Sequence, residues 1–191
     1  DSMDKAVYDI ETLKNCFIAC FEDYKEVEEK VFVVHDLRND FGYFVDYLKY
    51  LREKKGWLIS FNGLGFDSQV VEFILANYDE LKDKRGCEIA NIIYGFAQRT
   101  ITNQDQLPEY PEWKMSINQI DVFKLNHWDN PAKRSSLKWI QYSMDWHTIK
   151  DMPIHHSTEV TTMREIQTII GYCRNDVKST KEIMNLSKEQ I

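Results

Sequence analysis

The spacing of apolar residues changes near residue 40, and that change limits the folds open to this chain. Before it, residues 6–10, 16–21 and 31–35 are short apolar runs separated by polar stretches of loop length, which predicts three successive strands in an antiparallel meander. After it, Phe41, Phe44, Val45, Leu48 and Leu51 recur at three- and four-residue intervals, the stripe of an amphipathic helix. Residues 57–61 then read as a buried strand, Gly63 and Gly65 as its turn, and residues 68–78 as a second helix.

The middle of the chain is less patterned. Residues 79–85 are charged and predict a solvated surface, 87–98 fit either helix or strand, and 104–111, with two prolines, form a loop. A further strand is expected over 117–125, a short helix over 135–144 and an irregular connection over 145–157. Thr162 and Glu165 have the spacing of a capping box for a last helix that runs to about Leu186. No repeat, low-complexity tract or linker divides the chain, so residues 1–191 read as one α/β domain.

Lys and Arg total 24 against 31 Asp and Glu, a net charge of −7, which gives no support to a protein that grips nucleic acid by bulk electrostatics. No apolar run approaches the roughly 20 residues of a membrane helix, and Asp1-Ser2-Met3-Asp4 has neither a basic nor an apolar leader region. The expectation is a soluble cytoplasmic chain without a membrane partner, in the host cytoplasm if the chain is viral. A first residue other than Met fits an excised domain. Cys16, Cys20, Cys87 and Cys173 form no CxxC pair, so they read as reduced core thiols.

Acidic residues carry the functional signal. In Val7-Tyr8-Asp9-Ile10-Glu11-Thr12, Asp9 and Glu11 lie on one strand face about 7 Å apart, as a shared metal site or an exposed alternating edge would place them. Asp67 closes Asn62-Gly63-Leu64-Gly65-Phe66-Asp67 at a helix start, where an Asp also serves as an N-cap. Tyr172 and Asp176 share a helix face about 6 Å apart, which by itself also fits a half-buried Tyr beside a solvated Asp.

Taken together, Asp9, Glu11, Asp67, Tyr172 and Asp176 resemble the motif set of the DEDD superfamily of 3′–5′ exonucleases, in its tyrosine subclass. The first motif stands as Asp-Ile-Glu-Thr, the second as Asn-x-x-x-Phe-Asp and the third as Tyr-x-x-x-Asp. The second most resembles the proofreading domains of family B DNA polymerases, and the third also resembles stand-alone polymerase-related exonucleases. The histidine subclass would need His where Gly171 stands. Ile120-Asp121-Val122-Phe123 and Ser136-Leu137-Lys138 match an expected later strand and helix start, so the likeness covers nearly the whole chain. It implies a ribonuclease H-like fold, a central mixed five-stranded sheet flanked by helices.

Four carboxylates within about 6 Å of one another would repel by roughly 3 kcal/mol per pair at an effective dielectric near 20, so such a cluster needs cations. All-oxygen ligands point to Mg²⁺ or Mn²⁺. The resemblance implies two ions, bridged by Asp9 and completed by Glu11, Asp67 and Asp176. They would flank a phosphodiester and activate water on one side and the departing 3′ oxygen on the other. Tyr172 would orient the water, because phenols titrate near 10 and are poor bases at neutral pH.

By the same resemblance Asn62 and Phe66 contact the terminal nucleotides, and the backbone at Thr12 and Leu13 approaches the 3′ end. Lys133, Arg134 and Lys138 surround a predicted helix start and either hold phosphates or form a solvated basic turn. Arg174, Lys178 and Lys181 read as surface. The paired His155-His156 lies in a loop, where adjacent imidazoles rarely chelate one ion. Gly63-Leu64-Gly65 is not a dinucleotide-binding fingerprint, because Ser68 stands where the third glycine belongs.

The expected activity is hydrolysis from the 3′ end of single strands, DNA before RNA, releasing nucleoside 5′-monophosphates, with a polymerase or replication protein as partner. The alternatives are an excised polymerase proofreading domain and a non-catalytic nucleic-acid-binding module of the same fold. A ribonuclease H or integrase endonuclease would share fold and metals but does not predict Tyr172 four residues before Asp176.

Overall fold

The computed structural model describes residues 3–125 and 152–189. The meander forms as β1 (Lys5–Leu13), β2 (Cys16–Asp23) and β3 (Glu29–Val34), followed by α1 (Phe41–Glu53) and β4 (Trp57–Ser60). A 3-10 turn over Gly63–Gly65 leads into α2 (Asp67–Ala76), then α3 (Tyr78–Leu81) and α4 (Gly86–Thr102). After β5 (Asn118–Asp121) come α5 (Val122–Leu125) and α6 (Met163–Glu189). The result is an α/β domain with a mixed five-stranded sheet, in the order β3-β2-β1-β4-β5. β1 to β3 pair antiparallel, whereas β4 and β5 run parallel to β1.

Strand alternation sorts side chains to the two sheet faces. Ala6, Tyr8, Ile10, Phe17 and Phe21 pack with Phe44, Leu48, Val70, Ile89 and Phe96 under α1, α2 and α4. Val7, Leu13, Ile18, Cys20 and Ile59 pack with Ile166, Ile169, Cys173, Val177 and Ile183 of α6. Asp9 and Glu11 fall between Val7 and Leu13 in this alternation, so they face α6.

The α6 helix starts as its spacing predicts. The Glu165 N–H donates to Thr162 Oγ1 at 3.2 Å, and Glu165 Oε1 accepts the Thr162 N–H at 3.1 Å. It is tied to β2 by Glu22, a buried carboxylate 2.7 Å from both Lys178 Nζ and Lys181 Nζ. Arg174 forms a two-pronged ion pair with Glu29. The three cations of this helix face are therefore committed to β2 and β3.

One expected element shortens, and two segments gain definition. The strand expected over 117–125 ends at Asp121, whose Oδ1 accepts the Phe123 N–H at 3.0 Å and turns the chain into α5. The charged stretch after residue 78 contains α3, which buries Leu81 in the core. Residues 87–98 are helical, because Ile89, Ala90, Ile93, Phe96 and Ala97 bury one stripe. The helix expected over 135–144 lies outside the described residues, as does most of the 145–157 connection. No helix among the described residues is long and apolar enough to cross a membrane.

Candidate functional site

Pairing between β1 and β4 stops at Val7 opposite Ile59, while β1 continues to Leu13 along β2. Among the described residues, no strand pairs with this edge of β1 from Tyr8 onward, at the carboxyl ends of the parallel strands, where open α/β sheets bind ligands. The start of α2 fills part of this gap. Asp67 is its first residue, buried, and its carboxylate accepts the Ile10 N–H and its own N–H.

Asp9 is the hub of the site. It is half-buried, it hydrogen-bonds to Glu11 and Asp67, and the charges of Glu11, Asp67 and Asp176 all bear on it. Burial first, and then those three charges in that order, push its carboxyl well above the usual carboxylate range. Burial, followed by the charge of Asp121, raises Asp67 to about 7. Hydrogen bonds between carboxyl groups require a shared proton, so burial and mutual repulsion both favour the protonated forms of Asp9 and Asp67 in the absence of cations. The structure brings Asp9, Glu11, Asp67 and Asp176 into one electrostatic unit supplied by β1, α2 and α6.

Tyr172 is half-buried one helical turn before the buried Asp176. Between them, Cys173 reaches the first strand, its Sγ 3.3 Å from the Asp9 carbonyl oxygen and 3.7 Å from Asp9 Oδ2. Among the described residues, Asp9, Glu11 and Cys173 place one ligand atom each within 4.8 Å of one another. Cys20 lies directly across from Asp9 on β2 and hydrogen-bonds to Cys173. Burial, that hydrogen bond and the nearby negative charges push the Cys173 thiol well above its ordinary value. In the absence of a metal this favours the neutral thiol, so the anionic donors are then the carboxylate oxygens.

Asp121 is a buried carboxylate that was not expected among the site residues. It is buried at the end of β5, and its Oδ1 accepts the Asn62 N–H at 2.7 Å. Its Oδ2 accepts the Leu64 N–H at 3.4 Å. These bonds hold the 62–66 turn that delivers Asp67. Asn62 sits there at φ 58°, ψ 27°, a left-handed conformation that Asn tolerates better than most residues. Asn62 thus has a local reason to be Asn, independent of any ligand. Gly63 is fixed by contact, since a Cβ there would overlap Ser60 Oγ and Cβ.

The remaining expected positions are distributed unevenly. Thr12 is half-buried and Leu13 buried at the end of β1, and Phe66 is partly buried beside Asp67. Alternation directs the Thr12 N–H to the same edge of β1 as the Ile10 N–H. Lys133, Arg134 and Lys138 lie outside the described residues. The His156 Nδ1 bonds to the Tyr94 hydroxyl at 2.7 Å and His155 Nδ1 to Ser157 Oγ at 2.7 Å, remote from the acidic cluster in sequence and partners. No protein-family model matches the chain, and a search of curated proteins finds no relative of it.

Proposed function

We propose that this protein is a divalent-metal-dependent 3′–5′ exonuclease of the tyrosine subclass of the DEDD superfamily, acting on single-stranded ends and releasing nucleoside 5′-monophosphates. The observation that carries this reading is the convergence of Asp9, Glu11, Asp67 and Asp176 on the open edge of β1, with Tyr172 a turn away from Asp176. The mixed sheet order, with a three-stranded antiparallel half and two strands parallel to β1, is compatible with the ribonuclease H-like fold that such enzymes have.

The donor set fits hard cations. Its anionic atoms are carboxylate oxygens, crowded enough to retain protons when alone, which is the condition that divalent metal relieves. Asp9, in contact with the other members, would be shared between two Mg²⁺ or Mn²⁺ ions, with Glu11, Asp67 and Asp176 completing their shells. When bound, these ions supply the positive charge that activates water and stabilises the departing 3′ oxygen.

The protein's own groups would do the rest. The Tyr172 hydroxyl would hydrogen-bond the attacking water and aim it at phosphorus. The Thr12 N–H, directed at the open edge, would receive the terminal nucleotide, and Phe66 would support its base by stacking, worth about 1–3 kcal/mol. Asp121 acts at one remove as a positioning residue, through the turn that carries Asp67. DNA is the preferred substrate on the likeness to polymerase proofreading domains, and a polymerase or replication protein the preferred partner.

Incubation of 5′-labelled single strands with Mn²⁺ or Mg²⁺ tests the proposal. Stepwise shortening that Asp9→Ala abolishes is expected. Intact strands, or shortening equal in both proteins, would refute it, and affinity without turnover would indicate a binding module.

A further inference from the structure

Cys173 follows Tyr172 on α6 and faces the sheet, where it is fully buried. Its thiol reaches Asp9 twice. The Sγ lies 3.3 Å from the Asp9 carbonyl oxygen and 3.7 Å from Asp9 Oδ2, so one S–H is shared between the backbone and the side chain of a single residue. A donor held between these two oxygens draws the carboxylate toward its own backbone and limits its rotation about χ1.

The thiol is itself held from behind. Cys20 stands across from Asp9 on β2 and hydrogen-bonds to Cys173. Both cysteines lie in one apolar cluster with Val7, Ile18, Ile169 and Val177, and neither is open to solvent. Water therefore does not compete for the S–H, and a donor that is weak in water counts for more in these surroundings. The order of contacts, Cys20 to Cys173 to Asp9, ties β2 and α6 to the carboxylate at the hub of the acidic cluster.

We propose that Cys173 is a positioning residue of the metal site, and that its S–H, backed by Cys20, sets the Asp9 carboxylate in the orientation that the two ions share. The inference rests on the metal site of the exonuclease reading and adds to it a residue that touches neither substrate nor the reacting atoms. Hard divalent ions take oxygen in preference to sulfur, so the thiol serves the carboxylate rather than the ion. A carboxylate already turned toward its working orientation loses less freedom when the ions bind, so its fixed rotamer appears as metal affinity.

Binding of Mn²⁺ to the full chain, followed by the loss of the free-ion signal in electron paramagnetic resonance, tests this without any turnover. Cys173→Ala removes the donor and should weaken Mn²⁺ binding about tenfold, the lower end of what loss of a hydrogen-bond partner of a metal-binding group costs. Cys173→Ser keeps a donor of similar size and should recover most of that affinity. Cys20→Ala, which removes only the support behind the thiol, should fall between wild type and Cys173→Ala. Urea midpoints in EDTA establish that each variant is folded, and a residue that only packs would give Ala and Ser the same Mn²⁺ affinity.

Mn²⁺ affinity unchanged in Cys173→Ala, or lowered equally in Cys173→Ala and Cys173→Ser, would overturn this inference and leave the metal site standing. A wild-type chain that leaves the Mn²⁺ signal unchanged would sink the metal site, and this inference with it.

Discussion

Asp67→Asn should stabilise the metal-free protein at neutral pH. In the folded chain burial and the charge of Asp121 raise the Asp67 carboxyl from 3.8 to about 7, against the lowering effect of the Ile10 N–H and its own N–H. The unfolded chain gives up this proton near the ordinary value, whereas the folded chain keeps it until about pH 7. Between those limits the unfolded state binds fewer protons, so stability falls as pH rises. A shift of about 3 units corresponds to a loss on the order of 4 kcal/mol across the window. Asn keeps an acceptor for the Ile10 N–H and carries no charge, so it escapes that loss. Urea denaturation followed by circular dichroism in EDTA should show similar stabilities for the two proteins near about pH 4, and the variant more stable by a few kcal/mol near about pH 7.5. Carboxylates lowered by partners, such as Glu29 beside Arg174, act with the opposite sign but are common to both proteins. Adding Mn²⁺ near neutral pH should raise wild-type stability and reduce the gap. A gap that does not change with pH, or a variant less stable than wild type near neutrality without metal, would refute the reasoning.

Asp121→Ala should destabilise the protein by about 1 kcal/mol in the same assay, because the part-buried Asn62 and Phe123 N–H groups lose their acceptor while the repulsion between Asp121 and Asp67 is relieved. Glu22→Ala leaves Lys178 and Lys181 without their shared carboxylate and should cost on the order of 2 kcal/mol, less than a fully buried pair because Lys178 is 38% exposed; urea midpoints check it. In single-turnover cleavage, Tyr172→Phe should slow the reaction about tenfold, whereas Asp176→Ala should slow it about 10²–10³-fold or more, since in the proposed mechanism the carboxylate would hold metal and the phenol would only orient water. Equal losses would assign Tyr172 a larger share of the chemistry.

The meander and the α1 stripe were legible because their apolar residues repeat at one period over a whole element, and the α6 start because Thr162 and Glu165 form a local reciprocal cap. The 87–98 segment was ambiguous because Ile92-Ile93-Tyr94 reads as a strand run, and only packing against Phe73 and the core selects the helical stripe. α3 was hidden because only Tyr78 and Leu81 reach the core, on either side of the charged Asp79 and Glu80. The acidic set was legible only through its likeness to a known motif set, since the spacing of Asp9 with Glu11 and of Tyr172 with Asp176 alone also fits ordinary surface positions. The place of Asp121 could not. Its role depends on N–H groups of Asn62 and Leu64, nearly sixty residues earlier, meeting it only after β4 and β5 pair. The Cys20 and Cys173 contact beneath Asp9 is equally long-range.

Release of the labelled nucleotide from a single strand marked at its 3′ terminus tests the central claim most directly. In Mn²⁺ the first product should be a labelled nucleoside 5′-monophosphate, absent in EDTA and absent with Asp9→Ala or Asp176→Ala. Internal fragments as first products, release beginning at the 5′ end, or release that survives loss of Asp9 would contradict it.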